Sequence, residues 1–309
     1  MSNLYLKYQK KRGKLLKLAP IALFVYNRLD HLQKTVEYLS KNELADQSNL
    51  YIFSDNAKSS SDISNVNKVR NYCSKINKFY SVKIIEREYN FGLAKNLIEG
   101  ITEILSNNEK IIVLEDDLLT DKFFLKYINK SLNKFESNDD VISIHGYIYP
   151  FEKNFDRPSF LKGADCWGWG TWKKSWKLFN KDTNFLLNKI IMNKREKEFN
   201  FDNSYNYINM LKKTLITSNS SWAVKWYASA FIYNKLTLYP PHSLIHNIGN
   251  DGSGTNSSNN NKYDNILKNI AIQLDGIPIQ ENKILRNEFE KYFNSKNNFI
   301  KKIYNKIIN

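Results

Sequence analysis

Apolar residues in the first half of the chain fall in short blocks separated by amphipathic stretches. Ile21-Ala-Leu-Phe-Val-Tyr26 has strand length and is followed by Leu29, Leu32, Val36 and Leu39, spaced along one helical face. Leu50 to Phe53 is a second strand ending at Ser54-Asp55, and a helix is predicted around Val66 to Ile76. Val82 to Ile85 forms the third strand. Leu93, Leu97, Ile101 and Ile104 mark another helix, and Ile111 to Leu114 the fourth strand. Nearly continuous apolar strands alternating with helices predict an α/β fold whose mostly parallel sheet is covered on both faces. Ligands are then expected beyond the carboxyl ends of the strands.

The second half loses that rhythm. Val141 to His145 reads as one more strand, an aromatic-rich section runs to Phe179, and a polar helical stretch spans about Lys181 to Leu215. Gly249 to Lys262 is rich in Gly, Ser and Asn and predicts a mobile connection or lid. From Asn282 onward Phe289, Phe293, Phe299, Ile303 and Ile307 interleave with lysines, predicting a basic amphipathic helical tail. The expected organisation is a basic segment 1–19, a main domain 20–265 with halves 20–120 and 140–256, and a tail 266–309.

Composition narrows the class. The 309 residues can bury a large core, and 42% hydrophobic content excludes disorder as the main state. No apolar run approaches the ~18 residues of a membrane span, and the polar, basic stretch Met1 to Lys17 predicts no secretory leader. Cys73 and Cys166 are too few for a structural metal site and are expected as reduced thiols in the cytoplasm. The net charge of +15 is concentrated at the ends, in Lys7, Lys10, Lys11, Arg12, Lys14 and Lys17 and again in Lys296, Lys301, Lys302 and Lys306. Such ends suit an anionic surface, either phospholipid or nucleic acid. A nucleic-acid-binding protein is the rival class, although no recognition motif is present.

The chemistry concentrates at Glu115-Asp116-Asp117, where four apolar residues run straight into three carboxylates. Collecting like charges at a sheet edge gains nothing for stability, whereas a Mg²⁺ or Mn²⁺ ion sharing its shell with substrate phosphates resolves the repulsion. The first strand leads into Asn-Arg-Leu-Asp30 without Gly-x-Gly-x-x-Gly, which disfavours a dinucleotide oxidoreductase. A metal-dependent phosphatase or nucleotidyltransferase stays open on the acids alone. Asn90 to Asn96 begins a helix after the third strand, where free backbone N–H groups would face an anion. Asp165-Cys-Trp-Gly-Trp-Gly-Thr-Trp172 holds three tryptophans in eight residues, suited to stacking on sugar rings or to an aromatic core.

Val113-Leu-Glu-Asp-Asp-Leu118 resembles the acidic strand-end motif of GT-A-fold glycosyltransferases, notably an N-acetylglucosaminyltransferase of N-glycan synthesis and bacterial surface-polysaccharide transferases. The resemblance covers about residues 20 to 256. It implies a UDP-sugar donor, a Mn²⁺ or Mg²⁺ cofactor and a saccharide acceptor, with no nucleic acid among the partners. Carried over, Asp117 ligates the metal, Glu115 and Asp116 meet the donor's sugar and ribose, and Tyr26, Asn27 and Arg28 line the base and pyrophosphate. Asp55 resembles the acid that accepts uracil N3–H. Trp167, Trp169 and Trp172 are similar to an acceptor-site segment, but Lys173 and Lys174 stand where its acidic run would supply the base. Trp222-Ala-Val-Lys-Trp226, the other place for a base, also lacks an acid, leaving Asp165 and Asp251 as catalytic candidates. Asn-Ile-Gly-Asn-Asp-Gly-Ser-Gly-Thr-Asn256 resembles a closing segment that elsewhere ends in a metal-binding His; with Asn256 there, the second ligand falls to His246, or to His242. The implied role is cell-surface polysaccharide synthesis by a cytoplasmic enzyme docked on the inner membrane face, acting on a lipid-linked acceptor. An inactive carbohydrate-binding relative is the alternative, and inverting and retaining outcomes both stay open.

Overall fold

The computed structural model describes residues 17–216, 221–252 and 263–308, the last with side chains to residue 295. Strands β1 (Ile21–Val25), β2 (Asn49–Ser54), β3 (Ser81–Glu86) and β4 (Lys110–Glu115) pair in parallel in the order β3-β2-β1-β4, as the apolar blocks predict. Helices Leu29–Ser40, Ile63–Cys73 and Leu93–Asn107 connect them. β1 is buried along its whole length because helices cover both faces of the sheet: Leu32, Val36 and Leu39 pack on one side, Leu97, Ile101 and Ile104 on the other.

The sheet continues past β4 through the expected strand Val141–His145 and through three strands that no apolar block announces. After β5 (Leu118–Thr120) and β6 (Val141–His145) come β7 (Ser159–Lys162), β8 (Trp169–Trp172), β9 (Leu236–Tyr239) and β10 (Ile245–Asn247). The full order is β3-β2-β1-β4-β8-β6-β9-β7, with β8 antiparallel between β4 and β6, and β5 pairs with β10 in a separate ribbon. The tryptophan segment is therefore an interior strand. A Cβ at Gly170 would lie 2.8 Å from Ile128 Cγ2 and 3.0 Å from Leu132 Cδ1, so helix Phe124–Lys134 packs directly on the bare backbone there.

The polar helical stretch is three pieces, Thr183–Met192, Glu196–Phe199 and Tyr207–Lys213. Left-handed backbone at Lys194 and at Phe201, Asp202 and Asn203 breaks it. The tail is one helix, Lys283–Ile308, whose Leu285, Phe289 and Phe293 are buried against Phe201, Tyr227 and Tyr239. These apolar positions of the amphipathic pattern cover the protein itself; Phe299, Ile303 and Ile307 lie outside the described side chains. Segment 263–282 is tied to the main body, with Asn265 Nδ2 donating to the Ile148 carbonyl at 2.7 Å and the Asn269 N–H to Asp121 at 2.6 Å.

Candidate active site

Parallel pairing of β1 with β4 sets Phe24 opposite Glu115, so the turn after β1 meets the acids after β4. Arg28, just before the first helix, binds Asp116 and, at 2.8 Å, Asp117 through Nη2. The main chain of the acidic turn is pinned from two further directions. Thr35 Oγ1 donates to the Asp116 carbonyl at 2.8 Å, and the Ile248 N–H donates to the Asp117 carbonyl at 2.9 Å. Behind Ile248 the chain presses against the acid, because a Cβ at Gly249 would sit 2.2 Å from Asp117 Oδ2.

Burial is the largest influence on Glu115 and Asp116. It pushes Glu115 up to about 8, helped by Asp117 and Asp116, and Asp116 up to about 6 against the opposing pull of Arg28. The guanidinium, itself desolvated, is held protonated by Asp116 and Asp117. A divalent cation fits this donor set in one way. Among the described residues no group of three or more His, Cys, Asp or Glu side chains is placed to enclose an ion. The carboxylates of Asp116 and Asp117, both paired with Arg28, are the oxygen donors the turn has, fewer than a complete shell for an ion.

Asp251 lies on the same side, with Oδ2 3.1 Å from His31 Nε2 on the first helix. His246 does not join the acids in a three-ligand group; its Nδ1 accepts from the Asn265 N–H at 3.4 Å. His242 Nε2 is 3.2 Å from the Ile270 carbonyl, and Asn256 lies outside the described residues.

Asp55 is placed differently from an open base-reading acid. Its carboxylate is buried and accepts the N–H groups of Asn56 (2.9 Å), Phe91 (2.8 Å) and Gly92 (2.9 Å) and the Asn90 amide (3.3 Å). Asp55 is thus itself the anion at the start of helix Leu93–Asn107, and two of the N–H groups expected to face a phosphate, those of Phe91 and Gly92, are taken by it. Nearby, Tyr26 Oη accepts the Lys58 N–H at 3.0 Å and Asn27 Nδ2 donates to Asp62 at 3.1 Å.

The three tryptophans part company. Trp169 has no exposed surface and stacks 5.9 Å from Trp222, while Trp172, 2% exposed, faces the opposite layer and donates to the Leu132 carbonyl at 3.1 Å. Both lie inside the protein, with no ring face open to a sugar. Trp167 is half-buried, edge-on to Tyr147 (4.8 Å) and Tyr263 (5.4 Å). Beside it Asp165 keeps a quarter of its side chain exposed and accepts the Cys166 N–H at 2.8 Å. Six tyrosines surround this carboxylate closely enough to feel its charge, namely Tyr147, Tyr149, Tyr205, Tyr207, Tyr239 and Tyr263. Burial pushes the Cys166 thiol up, and the negative charges of Asp165, Glu115 and Asp117 act in the same direction.

Sequence reasoning passed over His31, Thr35 and His145. His31 follows Arg28 at helical spacing, which is a detectable hint. His145 carries none, being the last residue of an apolar strand.

No family model matches the chain, and no curated protein matches it. The similar solved structures include glycosyltransferases. A mannosyltransferase from Pyrobaculum calidifontis, in complex with GDP-Man and Mn²⁺, is 13% identical over 48% of this chain and 42% of its own, with a TM-score of 0.32. S. aureus TarS 1–349 with UDP-GlcNAc is 12% identical over 74% of this chain and 57% of its own, with a TM-score of 0.38. S. aureus TarS is 15% identical over 76% and 37%, with a TM-score of 0.39. The chain thus spans between about two fifths and three fifths of these proteins, and its functional reading rests on the residues described above.

Proposed function

We propose that the chain is a GT-A-type glycosyltransferase that takes a UDP-sugar with Mn²⁺ or Mg²⁺ and transfers the sugar to a saccharide acceptor. The observation that carries this reading is the Glu115-Asp116-Asp117 turn at the carboxyl end of β4, with Asp116 buried and its neighbours half-buried, bridged by Arg28 from the end of β1. Desolvated acids with raised proton affinity are costly by themselves and become favourable beside a cation. Asp117, with Asp116, would hold the ion, whose charge would stabilise the departing diphosphate by several kcal/mol. Arg28 contributes a second positive charge for the pyrophosphate.

Asp165 is the better placed base. It is partly open and it stands beside the half-buried ring of Trp167. Asp251 is paired with His31 on the donor side. A base at Asp165 favours the inverting outcome, in which the acceptor hydroxyl is deprotonated as it attacks the anomeric carbon.

The wider setting belongs to the same proposal: a cytoplasmic enzyme of bacterial surface-polysaccharide synthesis, held by its basic ends on an anionic membrane and using a lipid-linked acceptor. Among the described residues no helix is long and apolar enough to cross a membrane. Sedimentation with anionic liposomes at physiological salt tests the docking, and protein left in the supernatant would refute it. The central test is UDP release from a panel of UDP-sugars with Mn²⁺ or with EDTA, in the wild type and in Asp117→Ala. Metal-dependent release of one sugar, absent in a folded D117A, is expected. Equal turnover in D117A would overturn the site, and absence of UDP binding with metal would overturn the donor.

A further inference from the structure

We propose that His145 is a positioning residue for the acceptor side of the site: as a neutral imidazole it accepts the Trp167 N–H and thereby holds Asp165 and Trp167 in place. This inference rests on the assignment of Asp165 as the proton acceptor. His145 ends β6 with no exposed surface, directly beneath the turn that carries Asp165 to Gly168. Two bonds clamp this turn onto β6. Trp167 N–H donates to His145 Nε2 at 3.0 Å, and Gly146 N–H donates to the Gly168 carbonyl at 2.7 Å. The approach is tight, since a Cβ on Gly146 would lie 2.7 Å from that same carbonyl oxygen.

An acceptor nitrogen must present its lone pair, so the ring proton sits on Nδ1. There it faces the Tyr147 main chain without a complete hydrogen bond. Asp165 Oδ1 is 4.0 Å from Nε2, too far to share a proton while the ring is neutral. Tyr147 and Tyr239 meet the ring in T-shaped contacts, and Asp165 is the only charged group acting on it among the described residues. Burial lowers the imidazole's affinity for a proton and Asp165 opposes that, leaving it low overall. Protonation would have two consequences in the same place. Trp167 N–H would lose its acceptor, and the new Nε2–H would draw the Asp165 carboxylate away from a substrate hydroxyl. A histidine serving only to fill the core has no reason to sit beside a partly open carboxylate with its second nitrogen unsatisfied.

The test compares wild type, His145→Gln, His145→Phe and Asp165→Asn. UDP release is followed from the preferred UDP-sugar, with methyl glycosides as probe acceptors and water as the background acceptor, between about pH 5 and 8. UDP binding by calorimetry and the ¹⁵N shifts of His145 are read on the same samples. The neutral Nδ1-protonated tautomer is expected in wild type. H145F should lose about 10–100-fold in kcat while UDP binding stays within about twofold, as befits a misplacement near 1 Å. Gln offers an amide oxygen that accepts the N–H without titrating. H145Q should therefore stay within about threefold of wild type in kcat, with UDP binding unchanged. An Nε2-protonated ring, a full rate in H145F, or a loss in H145Q as large as that in H145F would each overturn the inference. Full turnover in D165N would instead overturn the base assignment on which it rests.

Discussion

Arg28 is the counter-charge that lets the acidic turn exist without a bound ion, and its replacement by Met should expose that dependence. Its guanidinium is one-fifth exposed, whereas the Asp116 and Asp117 side chains are 6% and 15% exposed. At an effective dielectric constant of about 20, one such pair is worth about 4 kcal/mol before desolvation. Removing one partner of a buried pair costs about 3–5 kcal/mol. Screening at the partly open guanidinium lowers the expectation for R28M to about 2–4 kcal/mol. The loss must depend on pH. Glu115 and Asp116 have folded-state proton affinities above their unfolded values, so they favour folding while protonated and cost stability as pH rises through about 6 and about 8. Without Arg28 both affinities rise further, so the deficit of R28M should be full near pH 8 and shrink to about 1 kcal/mol near pH 5. Urea unfolding of wild type, R28M, D116N and R28M/D116N at both pH values closes a double-mutant cycle. D116N should restore at least half of the deficit at the higher pH, and Mn²⁺ should stabilise R28M more than wild type. A deficit independent of pH, or no deficit, would refute the idea that Arg28 neutralises this turn.

Asp55→Ala should cost about 1–3 kcal/mol in chemical denaturation, because it strips the acceptor from two half-buried main-chain N–H groups. Asp55→Asn should leave the preference for UDP over GDP unchanged in a binding assay; a reversed preference would return Asp55 to the role of base reader. Gly168→Ala forces a Cβ at φ 63° to within 2.5 Å of Ile245 Cδ1, for an expected loss of about 2–4 kcal/mol by calorimetric melting. Trp169→Ala should destabilise by about 3–5 kcal/mol, whereas Trp167→Ala should melt within about 1.5 kcal/mol of wild type yet weaken acceptor use. Equal melting losses for the two would show that neither ring serves the acceptor.

The parts legible in the sequence are those whose cause is local. Ile21 to Val25 and Lys110 to Glu115 are strands because a short, nearly continuous apolar run with several β-branched residues suits burial on both faces, whatever covers them. Glu115-Asp116-Asp117 stands out because three consecutive acids after such a run cannot serve the core. Helices of the first half announce themselves by spacing alone, as Leu93, Leu97, Ile101 and Ile104 do.

Tertiary structure decided which chemical groups remain available. Tryptophan suits a sugar platform and a core equally; only the insertion of β8 between β4 and β6 buried Trp169 and Trp172 and left Trp167 half-open. An acid at a strand end reads the same whether it faces a ligand or a loop, and Asp55 is spent on N–H groups 36 and 37 residues away. The bond between His145 and Trp167 spans 22 residues, and the pairing of Arg28 with Asp116 spans 88. Hydrogen bonds and desolvation depend on distance in space. Residue order therefore determined the elements and the acidic turn, while packing determined which side chains still face solvent and can act on a substrate.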